Sequence, residues 1–315
     1  MEKQQLYLVS STPHIRRHIS VELQYLFIIL ALLPCVVCSI IFYKFNALLI
    51  LSVSILSCYV FDMFFSFMLL GHFSFKDFSS VITGIILGLI MPAQIPIYYV
   101  IIAGIVSVVI AKVMFGGQGK ELVSAPSLGA CVLASLVSGF TTTMCAYSIL
   151  THDVASPLIT FAEGEYGKIA ILDLLLGNGG GLIGTTSAIC CVVGGVFLCA
   201  TRVYDYYIPV LAVVAFAIVI ALTKGMGAVL PEMLTGSFLF ACAFMLPSHS
   251  SSPALWPAKV VYAIGFGVMA AFVRTEYLFG ETGVFFCLLM MNVLAPLLDL
   301  LASVFFRGRR VKKYE

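Results

Sequence analysis

The chain alternates long apolar runs with short polar stretches from residue 25 almost to its C-terminal end. Most runs approach the roughly 20 residues that a helix needs to cross a bilayer, and none alternates like a barrel strand. Because backbone groups in lipid must be satisfied within helices, the pattern predicts an all-α polytopic membrane protein. About ten transmembrane helices are predicted, at 25–43, 47–70, 80–92, 96–115, 126–149, 183–201, 208–223, 229–247, 258–273 and 282–306. A short piece, 169–176, is expected to enter the membrane without crossing it.

Two of these runs look like copies of each other. Thr83-Gly84 opens one that ends at Met91-Pro92, and Thr235-Gly236 opens another that ends at Met245-Leu246-Pro247. Broken segments in matching positions indicate an internal repeat around a central site. Since five helices per half is an odd number, the halves are expected to be inverted. The predicted organisation is a cytoplasmic segment 1–24, a first five-helix repeat 25–149, an extracytoplasmic loop with a re-entrant piece 150–182, a second repeat 183–306 and a basic cytoplasmic tail 307–315.

Composition supports a membrane location and gives an orientation. Apolar residues make up 61% of the chain and charged residues 10%, with a mean hydropathy of +1.10, whereas a soluble domain carries about a quarter charged residues. With both termini cytoplasmic, only four of the seventeen Lys and Arg fall outside, which satisfies the positive-inside rule: Lys44, Lys168, Lys224 and Arg274. The expected location is the cell (inner) membrane, and a net charge of +2 gives no indication of a nucleic-acid partner.

A glycine run at 177–187 is the most unusual polar stretch. Five glycines in eight residues cannot continue a helix cheaply, and they let the backbone approach a ligand or another helix closely. A helix starting near Gly184 would offer free N–H groups to an anion such as a phosphate. Tight packing through small residues explains the run equally well. A third glycine loop, 115–120, is either a connector or a second half-site.

The longest connection between the runs, 150–168, gathers hydroxyls, an acid and a proline. Loops are where functional residues concentrate. Asp153 followed by Ser156-Pro157 is also what an ordinary turn requires, and the residues alone favour that interpretation.

Acidic side chains inside apolar segments are costly and usually face a cavity or a partner. Asp62, Asp173 and Asp299 are the candidates. Asp62 is the best placed for an ion or proton path, and a hydrogen bond to a neighbouring helix is the alternative. The ten cysteines all lie in apolar segments, and only Cys35-Val36-Val37-Cys38 has ligand-like spacing. Small buried hydrophobic residues are the favoured interpretation for them.

Several motifs, in order, resemble the NqrB/RnfD family, and the resemblance covers nearly the whole chain. The similar stretches are Ser10-Ser11-Thr12-Pro13-His14-Ile15-Arg16, Val81-Ile82-Thr83-Gly84, Ala111-Lys112-Val113-Met114-Phe115-Gly116-Gly117-Gln118-Gly119, the run 177–187, and Met291-Asn292 with Pro296-Leu297-Leu298-Asp299. Three places depart from the family pattern. Ser124-Ala125-Pro126 stands where the family has an Asn-Pro-Ala motif, and Thr185 and Ser248 stand where it has acidic residues.

The resemblance implies a flavin. RnfD members carry FMN joined through its phosphate to a threonine in an Ala-Thr-Pro-Leu context on the outer face. The matching residues here are Ala155-Ser156-Pro157-Leu158, so Ser156 supplies the equivalent oxygen. The expected cofactor site contains Ser156, Asp153, Pro157, Gly180, Gly181, Gly184, Thr186 and Ser187. An additional noncovalent flavin between the halves is a further expectation.

The family also implies a role and partners. RnfD relays electrons in ferredoxin:NAD oxidoreduction coupled to Na⁺ or H⁺ movement. The chain has no nicotinamide fingerprint and no iron–sulfur spacing, so it is expected to be a non-autonomous subunit. Its partners would be other Rnf membrane subunits, the second flavin subunit, and peripheral iron–sulfur and NAD-binding subunits. A flavin-free channel or carrier on the same scaffold, and a scaffold subunit of a redox complex, are the alternative hypotheses.

Overall fold

The computed structural model describes residues 21–70, 78–117, 119, 121–136, 157, 161, 170–177, 181–276 and 280–311. Within these ranges every regular element is helical, which confirms the predicted all-α class. The helices are α1 (Val21–Leu70), α2 (Phe78–Leu89), α3 (Ile97–Ile105), α4 (Ala125–Leu136), α5 (Ile171–Leu176), α6 (Ala188–Ala200), α7 (Tyr207–Thr223), α8 (Met226–Leu234), α9 (Ser237–Phe240), α10 (Trp256–Thr275) and α11 (Gly283–Val311). Helix α3 continues into π-helical Val106–Val113, α9 continues into π-helical Ala241–Met245, and a 3₁₀ turn, Gly280–Thr282, precedes α11.

Each of the ten predicted apolar segments contains a helix. Three described stretches are long and apolar enough to cross a bilayer: Val21–Met68, Trp256–Thr275 and Gly280–Val304. A fourth is added if Met226–Leu234 and Ser237–Met245, bent by 64°, count as one span. The other described apolar helices are shorter, between 10 and 17 residues.

Helix α1 holds the first two predicted segments. Fifty straight helical residues would extend about 75 Å, more than twice the bilayer core. The chain breaks at Lys44, which has φ 50° and ψ −126°, within the gap predicted between 43 and 47. Arg202, in the turn between α6 and α7, has φ 55°. Among the described residues these are the two non-glycine positions with positive φ, and each follows the first predicted apolar segment of its half.

The two Thr-Gly pairs are not equivalent in structure, so the prediction of a matching break in each half is wrong for the first. Thr83 and Gly84 lie inside the continuous helix α2, where the Thr83 hydroxyl donates to the Ser79 carbonyl. Thr235 is extended and Gly236 has φ 68°, so the chain breaks there between α8 and α9. Gly84 serves packing instead, because a Cβ there would lie 2.6 Å from the Ile55 Cα.

The halves are joined in the middle by backbone hydrogen bonds. The Ile183 N–H donates to the Met91 carbonyl at 3.0 Å, and the Gly184 N–H donates to the Leu89 carbonyl at 2.7 Å. Pro92 and Leu182 form an isolated antiparallel bridge beside them. The end of α2 is therefore fixed against the glycine run that precedes α6.

Candidate cofactor site at the glycine run

A narrow cleft of about 10 Å³ opens where the glycine run meets the break between α8 and α9. Three of the predicted site residues line it: Pro157, Gly181 and Thr186. The rest of the lining is Leu174, Thr185, Leu234, Thr235 and Gly236. The long loop, the glycine run and the second Thr-Gly pair are thus brought together, although they are far apart in the chain. The predicted residues Asp153, Ser156 and Gly180 lie outside the described residues.

Some residues of the glycine run pack against neighbouring helices, whereas Gly181 faces open space. Gly184 packs against Leu89, whose Cβ would lie 2.5 Å from a Cβ at that position. The Ser187 hydroxyl donates to the Leu175 carbonyl at 3.2 Å. These two predicted site residues therefore shape the loop. Gly181 faces open space, since a Cβ there would meet only the Thr185 hydroxyl, at 3.9 Å.

The helix that follows the run begins later than predicted. It starts at Ala188, with Ser187 as the residue before it, and not near Gly184. The reason is that residues 182–184 are held by the end of α2, which keeps them out of helical conformation. Thr185 and Thr186 consequently lie on the loop at the cleft. The Thr185 hydroxyl donates to the Leu182 carbonyl, whereas the Thr186 hydroxyl can hydrogen-bond to a ligand.

Behind Gly236 lies a buried cluster of charged side chains that the sequence reasoning missed. Lys224 Nζ is 2.7 Å from Glu232 Oε1 and also donates to the Arg274 carbonyl. Arg274 donates to the Thr235 carbonyl at 2.9 Å, and its Nη1 is 3.8 Å from Glu232 Oε2. The side chain of Arg274 is 1% exposed and that of Glu232 is 0% exposed. Because burying unpaired charges is very costly, these pairs fix the helix break that forms one wall of the cleft.

Glu281 belongs to the same cluster. It is buried, and neither of its carboxylate oxygens has a hydrogen-bond partner in the described part of the chain. A Cβ on Gly236 would contact both its carboxylate and the Arg274 guanidinium. The sequence signal for this cluster was the presence of acidic residues, Glu232 and Glu281, within or next to apolar segments. Neither acid belongs to a local motif that would have linked it to the other.

Asp62, the predicted ion-path residue, lies in a second buried charged cluster. Lys112 Nζ is 2.8 Å from Asp62 Oδ2, and it also donates to the Ser80 hydroxyl at 2.7 Å. Ser80 in turn donates to Asp62. The topology prediction counted Lys112 among the cytoplasmic basic residues, whereas its side chain is 1% exposed. The π-helical stretch Val106–Val113 carries it inward, and π-helical turns are frequent at functional sites.

The other two predicted intramembrane acids lie next to helix starts. Asp299 accepts hydrogen bonds from the Ala254 and Leu255 backbone N–H groups at 2.8 and 2.9 Å, just before α10 begins. It thereby satisfies donors at a helix start, a structural task. Asp173 lies in the first turn of α5, where its carbonyl accepts from Gly177 N–H.

A larger cavity of about 220 Å³ lies between the two halves. Its wall includes Thr83 from α2 and Phe244 from the π-helical part of α9, with a polar rim that contains Glu121, Ser248 and His249. The loop residue Glu121 is partly exposed, but its carboxyl group is enclosed. Burial raises its pKa above the ordinary value, against the opposing effects of Lys112 and a hydrogen bond from Ser250.

Metal ligation finds no support in the part of the chain that the structure covers. No group of three or more His, Cys, Asp or Glu side chains is placed to hold a metal ion there. The nine described cysteines are free thiols.

Comparison with known proteins gives a family and its relatives. A family model described as the NQR2, RnfD, RnfE family matches residues 8–304. The chain is 30% identical over 298 residues to the D subunit of the Na⁺-translocating ferredoxin:NAD⁺ oxidoreductase complex of Acetobacterium woodii, with 92% of each chain covered. It is 26% identical to the D subunit of the proton-translocating ferredoxin:NAD⁺ oxidoreductase complex of Clostridium ljungdahlii, with 94% of this chain and 95% of the relative covered.

A more distant relative is named for another complex. The B subunit of the Na⁺-translocating NADH-quinone reductase of Chromohalobacter salexigens is 26% identical over 235 residues, which cover 69% of this chain and 56% of the relative. The full-length relatives carry names with different ions, so similarity of this degree does not select between Na⁺ and H⁺.

Proposed function

We propose, since the chain belongs to the NQR2, RnfD, RnfE family, that it is the D subunit of an Rnf-type complex, an ion-translocating ferredoxin:NAD oxidoreductase. Relatives with that name align over more than nine-tenths of the chain. In this role the subunit relays electrons within the membrane assembly. Ferredoxin and NAD chemistry then belongs to other chains.

We further propose that Ser156 carries FMN as a phosphoester. The observation that carries this proposal is the position of Pro157, which directly follows Ser156 and is buried in the cleft with Gly181, Thr186 and Thr235. Serine has the same oxygen nucleophile as the threonine of RnfD members, so its Oγ can form the same ester once a transferase installs the flavin. The bound FMN supplies the redox chemistry.

The cleft offers polar groups to the phosphate end of the cofactor at its mouth. The Thr186 hydroxyl lies at the cleft and can donate, and Gly181 leaves open space there. A volume of about 10 Å³ has room for about one water molecule, so neither the phosphate nor the flavin ring lies inside the cleft. In this proposal, Gly181 and Thr186 are described residues that would hold the phosphate end from outside the cleft.

The cavity between the halves is the proposed place of the additional noncovalent flavin. Its lining combines apolar side chains such as Ile82 and Phe244 with polar ones such as Glu121 and His249, as small-molecule sites usually do. Both termini are proposed to be cytoplasmic in the cell (inner) membrane, with 150–168 on the outer side. The proposed partners are the other Rnf membrane subunits, the second flavin subunit, and the peripheral iron–sulfur and NAD-binding subunits.

Asp62 is proposed to belong to the ion path. Its carboxylate is paired with Lys112 and Ser80, so it would accept a cation or a proton only when that pairing opens. Ionisable residues inside membrane segments commonly mark ion pathways and proton relays.

A flavin-free channel or carrier is the second candidate, favoured by the cavity and the helix break at Gly236.

Flavin fluorescence in a denaturing gel distinguishes the flavin-carrying subunit from the flavin-free channel. The wild-type subunit should give a fluorescent band after SDS treatment, Ser156→Ala should lose it, and Ser156→Thr should retain it. Thr160→Ala is the matched control, since it removes a hydroxyl from the same loop. Solute uptake by the purified subunit without a fluorescent band would favour the channel.

A further inference from the structure

Two cysteines from the two halves meet where α1 crosses α6. Cys38 Sγ and Cys190 Sγ are 3.0 Å apart. Both side chains are partly exposed. One turn earlier on α1, the buried Cys35 contacts the buried Cys191, so the crossing holds two pairs of thiols.

The spacing of the two thiols equals the repeat spacing predicted from the sequence. Cys38 and Cys190 are 152 residues apart, which is also the separation of Thr83 from Thr235. In an arrangement with two-fold symmetry, a residue on the axis meets its own equivalent. The contact of Cys38 with Cys190 is therefore what the predicted repeat expects of residues near its pseudo-two-fold axis.

Close packing holds the two helices at this crossing. Gly194 on α6 faces the Ala31 carbonyl on α1, and a Cβ at Gly194 would lie 2.5 Å from that oxygen. The helices can approach this closely because glycine has no side chain. From 3.0 Å, the two sulfurs need to move by about 1 Å to reach disulfide bonding distance.

We propose that Cys38 and Cys190 form a reversible disulfide that links the two repeats across their axis. Oxidation requires a two-electron acceptor, and the partial exposure of both thiols on apolar helices points to a lipid-soluble oxidant of the quinone class. Each thiol gives up one proton and one electron, the Sγ–Sγ bond forms, and the quinone takes up both electrons and both protons to become a quinol. The Cys35 and Cys191 pair is buried and stays reduced under the same treatment.

The test uses the intact complex in its native membranes. Membranes are treated with a short-chain quinone, denatured, and the remaining thiols are counted with a maleimide mass tag. The wild-type subunit should carry two tags fewer after oxidation than before, and dithiothreitol should restore both. Cys38→Ser and Cys190→Ser should each show no oxidation-dependent loss. Cys35→Ser and Cys199→Ser, on the same two helices, should still lose two tags.

Peptide mapping of the oxidised wild-type subunit keeps the test independent of how well the variants fold. The expected product joins the Cys38 peptide to the Cys190 peptide with a loss of two hydrogens. An unchanged tag number, or a link between any other pair of cysteines, would overturn the proposal. The flavin band at Ser156 is a separate readout, so failure of the disulfide leaves the proposed function untouched.

Discussion

Lys112 Nζ lies 2.8 Å from Asp62 Oδ2 although the two residues are 50 positions apart and both are buried among apolar helices. Taking two charges out of water is expensive, and their attraction repays that cost only with good geometry and additional hydrogen bonds. Ser80 supplies such bonds to both partners. The pair therefore joins α1, α2 and the π-helical end of α3 at one point.

Breaking this pair on one side should destabilise the fold. Asp62→Asn leaves the Lys112 ammonium buried without its counter-charge, at an expected loss of about 3–5 kcal/mol in the free energy of unfolding. Lys112→Met added to Asp62→Asn should recover most of the loss, because the buried charge is then gone. Thermal unfolding of the detergent-purified complex measures both. A double variant less stable than Asp62→Asn would show that the two residues do not act as a pair.

Gly236 should not tolerate a side chain. Its φ of 68° and ψ of −157° fall in a region that only glycine adopts readily, and a Cβ would contact Glu281 and Arg274. Gly236→Ala is expected to cost at least about 1–3 kcal/mol of stability. Gly227→Ala in α8 is the matched control. It meets no atom within 4 Å and should be neutral or slightly stabilising, since alanine favours a helix. Equal stability losses in the two variants would contradict this.

Glu121 should make stability depend on pH. Burial raises its pKa in the folded protein, so the folded state favours the protonated acid. Stability from this residue is full below the unfolded pKa, near 4.5, and falls as pH rises through the folded value. Glu121→Gln removes the titration. The variant should match the wild type in stability at acidic pH and exceed it increasingly as pH rises to neutrality. A stability difference that is constant over this range would contradict the assignment.

Periodicity and run length predicted most of the helices, because a segment of about 20 apolar residues leaves the backbone few alternatives in lipid. The break near Lys44 was also predictable, since the chain is too long to continue straight. The continuous helix through Thr83 and Gly84 was not, because Gly84 is a packing residue whose partner, Ile55, lies on another helix. Local sequence does not distinguish such a glycine from one at a break.

The candidate site was predictable only in part. Of the residues predicted from the glycine run and the family resemblance, Gly181, Thr186 and Pro157 line the cleft. Glu232, Arg274 and Lys224 were missed as a cluster. Each is an isolated charge in the sequence, and what unites them is a helix break that brings α7, α8 and α10 together. Such pairing depends on tertiary structure, and no spacing of these residues along the chain indicates it.

Intact-mass spectrometry of the subunit purified from native membranes tests the central proposal most directly. We expect one mass increase equal to an FMN phosphoester, located by peptide mapping to Ser156, present in Ser156→Thr and absent in Ser156→Ala. An unmodified mass for a subunit isolated from an active complex would contradict the proposal that this chain carries a covalent flavin.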